Sequence, residues 1–323
     1  MGQGVWSSVF EWPVIGIQSI LTPDGRVLSF GTNQLGQQGG MHIFDVWDPV
    51  TNTHLTLEHT VHTDLFCSAA IIVPETGEIL IAGGDTRPLG LINAGVADSN
   101  TFNYTDNSLV PTPTGDMSYA RWYPTEITLA NGKILALGGR DGDLKGVATP
   151  ELYTPGVGWT TLNGATTDLF AKGWFYPQTW LASDGRAVAM TSSGPRGSST
   201  VVTFDPSGEG RIASTSLMPF KKFPDAPGVM FAPDKILTLG YPNTAWIVDI
   251  SGPQPKYTQV AAPRGGHSWS NMILLADGTV MLSGGSAVNN KLKGVTYEVA
   301  LWNPETKAWA YGDSAEIPRL YHS

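Results

Sequence analysis

Asn131-Gly132-Lys133-Ile134-Leu135-Ala136-Leu137-Gly138-Gly139 is one copy of a segment that recurs along the chain and decides its fold. A Gly-containing turn sits between two short apolar runs, and small residues close the second run. Asn-Gly and Asp-Gly pairs between such runs signal tight hairpins, because those turns need residues that tolerate a positive φ. Working outward, the turn recurs at Asp24-Gly25, Thr76-Gly77, Asp184-Gly185 and Asp277-Gly278, and at Pro233-Asp234, where Asp234 takes the glycine slot. The turn-to-turn spacings are 52, 55, 53, 49 and 44 residues. A second hairpin follows several copies, marked by Trp47-Asp48-Pro49, Phe204-Asp205-Pro206 and Trp302-Asn303-Pro304. Two hairpins per unit make four strands, and four-stranded units at this period are propeller blades. A β-sandwich is the competing architecture, and six ordered copies argue against it.

The diglycines Gly83-Gly84, Gly138-Gly139 and Gly284-Gly285 resemble those of Kelch-type blades. The expectation is an all-β, seven-bladed Kelch-type propeller over residues 1–323. It is expected to be incomplete, with about six blades and the start of a seventh at Ile317-Pro318-Arg319-Leu320-Tyr321-His322-Ser323. An unfinished ring would expose two apolar blade faces, so the chain reads as a fragment or as a damaged protein.

Composition agrees with many short strands and turns. The 323 residues include 38 Gly, 23 Pro and 11 Trp, with only 15% charged residues. The net charge of −9 makes nucleic acid and anionic membrane surfaces unexpected partners. Met1 to Pro13 shows no basic region followed by an apolar stretch, so no signal peptide is expected in this chain. Met1-Gly2 matches the start of a myristoylation signal, but Trp6 stands where Ser or Thr is required. The sequon Asn103-Tyr104-Thr105 is too short a match to carry weight. Cys67 is the sole cysteine, which excludes an internal disulfide. P-loop, dinucleotide-binding, Gly-x-Ser-x-Gly and Cys-x-x-Cys motifs are absent, and Trp47-Asp48 occurs once, which excludes a WD40 array.

Register along the repeats singles out a few side chains. Cys67 precedes Gly77 by 10 residues, while Tyr123 precedes Gly132 by 9 and Tyr176 precedes Gly185 by 9. The extra residue before Gly77 can be absorbed by a longer turn at Pro74-Glu75-Thr76. Cys67 and Tyr123 are therefore expected on adjacent inner strands at nearly the same depth. Tyr321 and His322 are expected to open the seventh inner strand at the same level. Phenolate and imidazole suit copper(II), and a thiol beside a phenol can couple to it as a thioether that is easier to oxidise.

At these residues the resemblance becomes specific. Asp64-Leu65-Phe66-Cys67, Arg121-Trp122-Tyr123-Pro124 and Arg319-Leu320-Tyr321-His322-Ser323 resemble the signatures of the copper-radical oxidases, the family of galactose oxidase and glyoxal oxidase. The resemblance implies Cys67 as the thioether partner and Tyr123 as the cross-linked radical ligand. It implies Tyr321 as the axial tyrosine and base, and His322 as an equatorial copper ligand. It also implies a second histidine from an immunoglobulin-like domain after the propeller, and a secreted or cell-surface, monomeric protein. The sequence departs from galactose oxidase where a stacking Trp would follow Gly-Gly-Ser, since Arg140-Asp141 follow Gly138-Gly139. No Arg near Lys221-Lys222-Phe223-Pro224-Asp225 matches the galactose-reading one. The Arg-Trp-Tyr-Pro string looks closer to glyoxal oxidase. The activity implied is oxidation of an aldehyde or primary alcohol by O2 to give H2O2. The chain alone is expected to be inactive.

Blander readings stand beside these. An isolated Cys is most often a small buried hydrophobe, and Trp122 and Tyr123 can be ordinary packing aromatics. Trp174 and Tyr176 are assigned mainly to packing, with Trp174 a candidate cover for the site. His267 is assigned to packing or support rather than ligation. His42, His54, His59 and His62 are too unevenly spaced to suggest a metal site. The rival function is a non-catalytic Kelch propeller that binds a protein or polysaccharide partner.

Overall fold

The computed structural model describes residues 4–38, 42–86, 93–192 and 198–322. Ser323, Met1 and Gly2 lie outside them. Among the described residues the chain is all-β apart from one α-helical turn, Asp168–Lys172, and a short 3-10 turn at Asn163–Ala165. No helix among the described residues is long and apolar enough to cross a membrane.

Six four-stranded sheets follow one another, each of the kind that forms one propeller blade. The first contains β1 (Val14–Leu21), β2 (Val27–Asn33), β3 (Ile43–Asp48) and β4 (Thr53–Glu58). The second contains β5 (Ala69–Ile72), β6 (Ile79–Ala82), β7 (Ser99–Asn103) and β8 (Ser108–Pro111). The third contains β9 (Trp122–Thr128), β10 (Ile134–Arg140), β11 (Glu151–Thr154) and β12 (Gly158–Thr161). The fourth contains β13 (Gln178–Leu181), β14 (Ala187–Thr191), β15 (Thr200–Asp205) and β16 (Arg211–Leu217). The fifth contains β17 (Gly228–Ala232), β18 (Lys235–Gly240), β19 (Thr244–Asp249) and β20 (Lys256–Val260). The sixth contains β21 (Ser268–Leu274), β22 (Val280–Ser286), β23 (Glu298–Asn303) and β24 (Ala308–Ser314). Strand order follows chain order in every sheet.

The hairpin turns lie where the repeat predicts them. Gly25, Gly77, Gly132, Gly185 and Gly278 all have positive φ, and Asp234 adopts the same left-handed conformation at 59°. The Gly25, Gly132, Gly185 and Gly278 amides bond the carbonyl three residues back, whereas Gly77 N–H bonds Val73 four residues back. The longer turn therefore absorbs the extra residue between Cys67 and Gly77.

A seventh sheet is not present among the described residues. The last strand ends at Ser314, and residues 315–322 form none. A strand persists only where its backbone groups find ladder partners. Here the Arg319 carbonyl accepts from Gly285 N–H (2.8 Å), and no ladder continues beyond it.

The chain divides into two compact units, residues 12–181 with 204–213, and residues 1–11, 182–203 and 214–323. In the first, Leu28, Phe30, Phe44 and Val46 pack with Ile79, Ile81 and Phe102, and Leu80 packs with Ile134 and Tyr153. In the second, Leu237, Val280 and Trp302 form an equivalent layer. Middle strands such as β6 and β14 are buried along their whole length, while the outer strand β16 alternates with solvent and no residue of the outer strand β4 is buried. Burial of these apolar faces is the main force holding sheet on sheet.

Candidate active site

The strand carrying Tyr123 is held at its start by Arg121. This side chain is fully buried and donates to Gly138 O (2.6 Å), Thr149 O (2.7 Å) and Glu151 Oε2 (2.8 Å). Glu151 in turn accepts from the Ser118 amide at 2.6 Å. The diglycine beside it makes room. Gly138 and Gly139 have φ of 71° and 78°, and a Cβ on Gly138 would lie 2.5 Å from Pro177 Cδ. Gly139 N–H can therefore reach Trp174 O at 2.7 Å, which brings in the segment leading to Tyr176.

Three side chains are then threaded on a backbone ladder. Tyr123 N–H donates to Cys67 O (3.0 Å), and Tyr176 N–H donates to Tyr123 O (3.1 Å). Cys67, Tyr123 and Tyr176 all have positive φ, at 57°, 67° and 39°. Three non-glycine residues in this region, at neighbouring rungs, mark a strained segment of the kind that collects at functional sites.

Cys67 is fully buried and Tyr123 is 3% exposed. Burial, reinforced by Asp85, pushes the Cys67 thiol well above its usual range, so its sulfur is not offered as a thiolate. Burial likewise raises Tyr176. Tyr123 is packed among rings: Trp122 at 3.9 Å, Phe175 at 4.3 Å, Tyr176 at 4.6 Å, and Trp174 stacked at 6.1 Å with planes 20° apart. The Arg140 guanidinium lies over Trp122 (4.3 Å) and Trp174 (5.1 Å). Trp174, assigned from sequence mainly to packing, thus stacks on the candidate radical tyrosine, while Arg140 fills the position after the diglycine.

Tyr321 and His322 belong to the other compact unit. Both are half-buried, with ring centroids 3.7 Å apart, and Tyr321 lies 4.2 Å from Trp269. Burial lowers the His322 pKa to about 4, so its ring is neutral near pH 7 and keeps a lone pair for a metal. Trp269 occupies a rung like that of Tyr123: its φ is 61° and its N–H donates to Asp225 O at 3.0 Å. His267 is buried, with Nε2 2.9 Å from Arg264 O, which fits support rather than ligation. His54 pairs with Asp45 (2.7 Å), and His42 and His59 contact each other edge to face at 4.9 Å. No group of three or more His, Cys, Asp or Glu side chains among the described residues is arranged to hold a metal.

Sequence reasoning missed Glu151 and Gln18. Gln18 Nε2 lies 3.0 Å from both Ser68 O and Tyr176 Oη. Neither residue sits in a repeated motif, and no spacing signal reaches across 30 or 158 positions.

No family model matches the chain. Over its full length it is similar to galactose oxidase of Gibberella zeae, at 24% identity over 363 aligned residues. The chain spans about half the length of that relative, 50%. A shorter stretch, 37% of the chain, is 31% identical to a WSC domain-containing protein of Arthroderma benhamiae, covering 13% of that protein. Among solved structures, it resembles a fungal alcohol oxidase of the AA5 family determined in complex with copper. The TM-score is 0.81 at 18% identity, over 99% of this chain and 69% of that one, a likeness of fold. The chain is thus a distant relative of galactose oxidase.

Proposed function

We propose that this chain is the propeller portion of a copper-radical oxidase of the glyoxal-oxidase kind. Such an enzyme converts an aldehyde hydrate or primary alcohol and O2 to the acid or aldehyde and H2O2. The observation that carries the reading is the single buried cysteine one backbone rung from a buried tyrosine, Cys67 O to Tyr123 N–H. Coupling the two would form a C–S bond with loss of two hydrogens, taken up by O2 as H2O2.

By donor chemistry alone, Tyr123, Tyr321 and His322 would be the ligands, phenol and imidazole being groups that copper(II) takes. The protonated Cys67 is spared from ligation and kept for coupling. Copper, when bound, supplies Lewis-acid and one-electron chemistry. Tyr321 Oη is the base that accepts the substrate hydroxyl proton. Tyr123, in its phenoxyl-radical form, would take the hydrogen atom from the substrate carbon and end as the phenol. Trp174 shields the Tyr123 ring from water, and its stack with Arg140 keeps it in place. The substrates are small aldehydes or alcohols, and galactose is disfavoured. By resemblance the protein is secreted and works as a monomer. Residues 1–323 by themselves are expected to be inactive, because Tyr321 and His322 sit on no paired strand, and catalytic groups must be held within about 0.5 Å.

The test uses the full-length reading frame exposed to copper and O2. The expected result is an intact mass lower by about 2 Da, the two hydrogens lost on coupling, and a cross-linked peptide pair containing Cys67 and Tyr123. Cys67→Ser should abolish both while leaving the protein folded. H2O2 release with glyoxal or methylglyoxal should disappear in Tyr123→Phe. An alkylatable Cys67 after prolonged copper exposure would defeat the reading and favour a non-catalytic propeller.

A further inference from the structure

We propose that Arg140 is an anion-binding residue beside Tyr123, and that the small substrate it selects carries a carboxylate at the end remote from the oxidised carbon. This rests on the reading above that Tyr123 attacks the substrate, and it names the substrate class for that site.

Arg140 is the last residue of β10 and pairs with Trp122 across the ladder to β9. Directly opposed residues of neighbouring strands touch through their side chains. The guanidinium carbon is accordingly laid over the Trp122 ring at 4.3 Å, and it lies 5.1 Å from the Trp174 ring. The two indoles are stacked, 5.9 Å apart with planes 30° from parallel. A third hold comes from Asn93, whose carbonyl accepts from Arg140 Nη2 at 2.7 Å. Asn93 is fixed in turn, since its Nδ2 donates to Asp85 Oδ2 while the next amide, Ala94 N–H, donates to Asp85 Oδ1 at 2.9 Å. Two rings and a neutral carbonyl therefore place the cation.

A counter-charge is what this cation lacks. Among the described residues no carboxylate forms an ion pair with Arg140, Nε is buried without a hydrogen-bond partner, and Nη1, also without one, is not buried. Arg121 shows the contrast, with Glu151 at 2.8 Å. Burial lowers the Arg140 pKa more than Asp85 raises it, and a guanidinium nevertheless stays charged. A carboxylate is the ligand whose oxygens match guanidinium N–H groups, and Nη1 is the nitrogen left open to it.

Trp122 joins the two ends of the site. Its ring centre is 3.9 Å from that of Tyr123 and 4.3 Å from the Arg140 guanidinium carbon, so Arg140 and the Tyr123 ring are at most about 8 Å apart. A hydrogen bond of about 3 Å at the Arg140 end leaves room for a short chain only. A neutral aldehyde of the same length leaves the guanidinium unpaired, so the acid is the better ligand. The hydrate of such an aldehyde acid and O2 give the dicarboxylic acid and H2O2.

The test compares succinic semialdehyde and glyoxylate with their methyl esters in copper-loaded, full-length protein, read as the acid-to-ester ratio of kcat/KM. The ratio should be about tenfold in favour of the acids, fall to about one in Arg140→Gln, and recover in part in Arg140→Lys. A residue that merely props Trp174 would lower acid and ester together, so a ratio unmoved by Arg140→Gln would overturn the proposal, as would a wild-type ratio of about one. In copper-free, full-length protein, calorimetry should show 4-hydroxybutyrate binding about tenfold more tightly than its amide, with Arg140→Gln erasing the difference. Equal binding of the two by the wild type would refute the anion site, and this comparison decides alone should Arg140→Gln fail to fold. Wild-type protein that oxidises neither acids nor esters would sink the oxidase reading, and the copper-free binding would still decide the role of Arg140.

Discussion

Residues 12–181 and residues 214–322 build the same backbone rung and fill it differently. In the first region Tyr123 N–H reaches Cys67 O, the residues are left-handed, and the side chains are a buried thiol and packed rings. In the second, Trp269 N–H reaches Asp225 O, the Asp225 carboxylate accepts from Ser268 Oγ, and Trp269 Nε1 bonds Asn289 Oδ1. The rung is a property of the repeat. The chemistry it presents depends on which side chain stands there and how far water is excluded. A buried thiol and phenol can be brought to react, whereas an acid and an indole with polar partners are already satisfied.

The anchors differ in the same way. Arg121–Glu151 is wholly buried, while Arg264–Glu298 is largely exposed. Arg121→Met should cost about 3–5 kcal/mol by urea unfolding, because it strands the Glu151 charge in the core. The double variant Arg121→Met/Glu151→Leu should recover much of that loss. Arg264→Ala should leave the unfolding midpoint almost unmoved. Equal effects at the two pairs would erase the contrast drawn between the regions.

The glycines give a second, smaller contrast. Gly138 and Gly278 share a left-handed φ, but only Gly138 has neighbours where a Cβ would go. Gly278→Ala should cost about 1 kcal/mol from backbone strain alone. Gly138→Ala should cost more, about 3 kcal/mol, since Pro177 must also move. The two melting shifts, measured side by side, separate strain from crowding.

A contrast of another kind lies in pH dependence. Lys222 is buried in the loop that carries Asp225, its Nζ on Ala226 O (2.6 Å) and Thr238 Oγ1 (2.7 Å), and burial lowers its pKa to about 7. Between about 7 and the unfolded value near 10.5 the unfolded chain binds more protons, so this group's contribution to stability rises with pH across that window and is flat below it. Lys222→Met should remove that slope in melting curves recorded from pH 7 to 10, and a persistent slope would assign it to other groups.

Gly132, Asp234 and Gly278 show why the blades were legible in sequence. A hairpin turn is local, and the need for positive φ at one position is written in the residue that occupies it. The register that sets Cys67 beside Tyr123 was legible for the same reason, since strands count residues between fixed turns. The blade count was less so. Ile317 to His322 carries an inner-strand pattern, yet forms no strand, because strand formation depends on a partner that no local pattern contains. Gln18 and Glu151 lay beyond sequence reading altogether. Their partners are 158 and 30 positions away, and only the packing of sheet on sheet decides which polar atoms meet where water cannot. Local chain geometry therefore determined the turns, strands and candidate residues from the sequence itself. Tertiary packing decided the hydrogen bonds of Gln18 and Arg121, because burial gives them their strength and long-range closure gives them their partners.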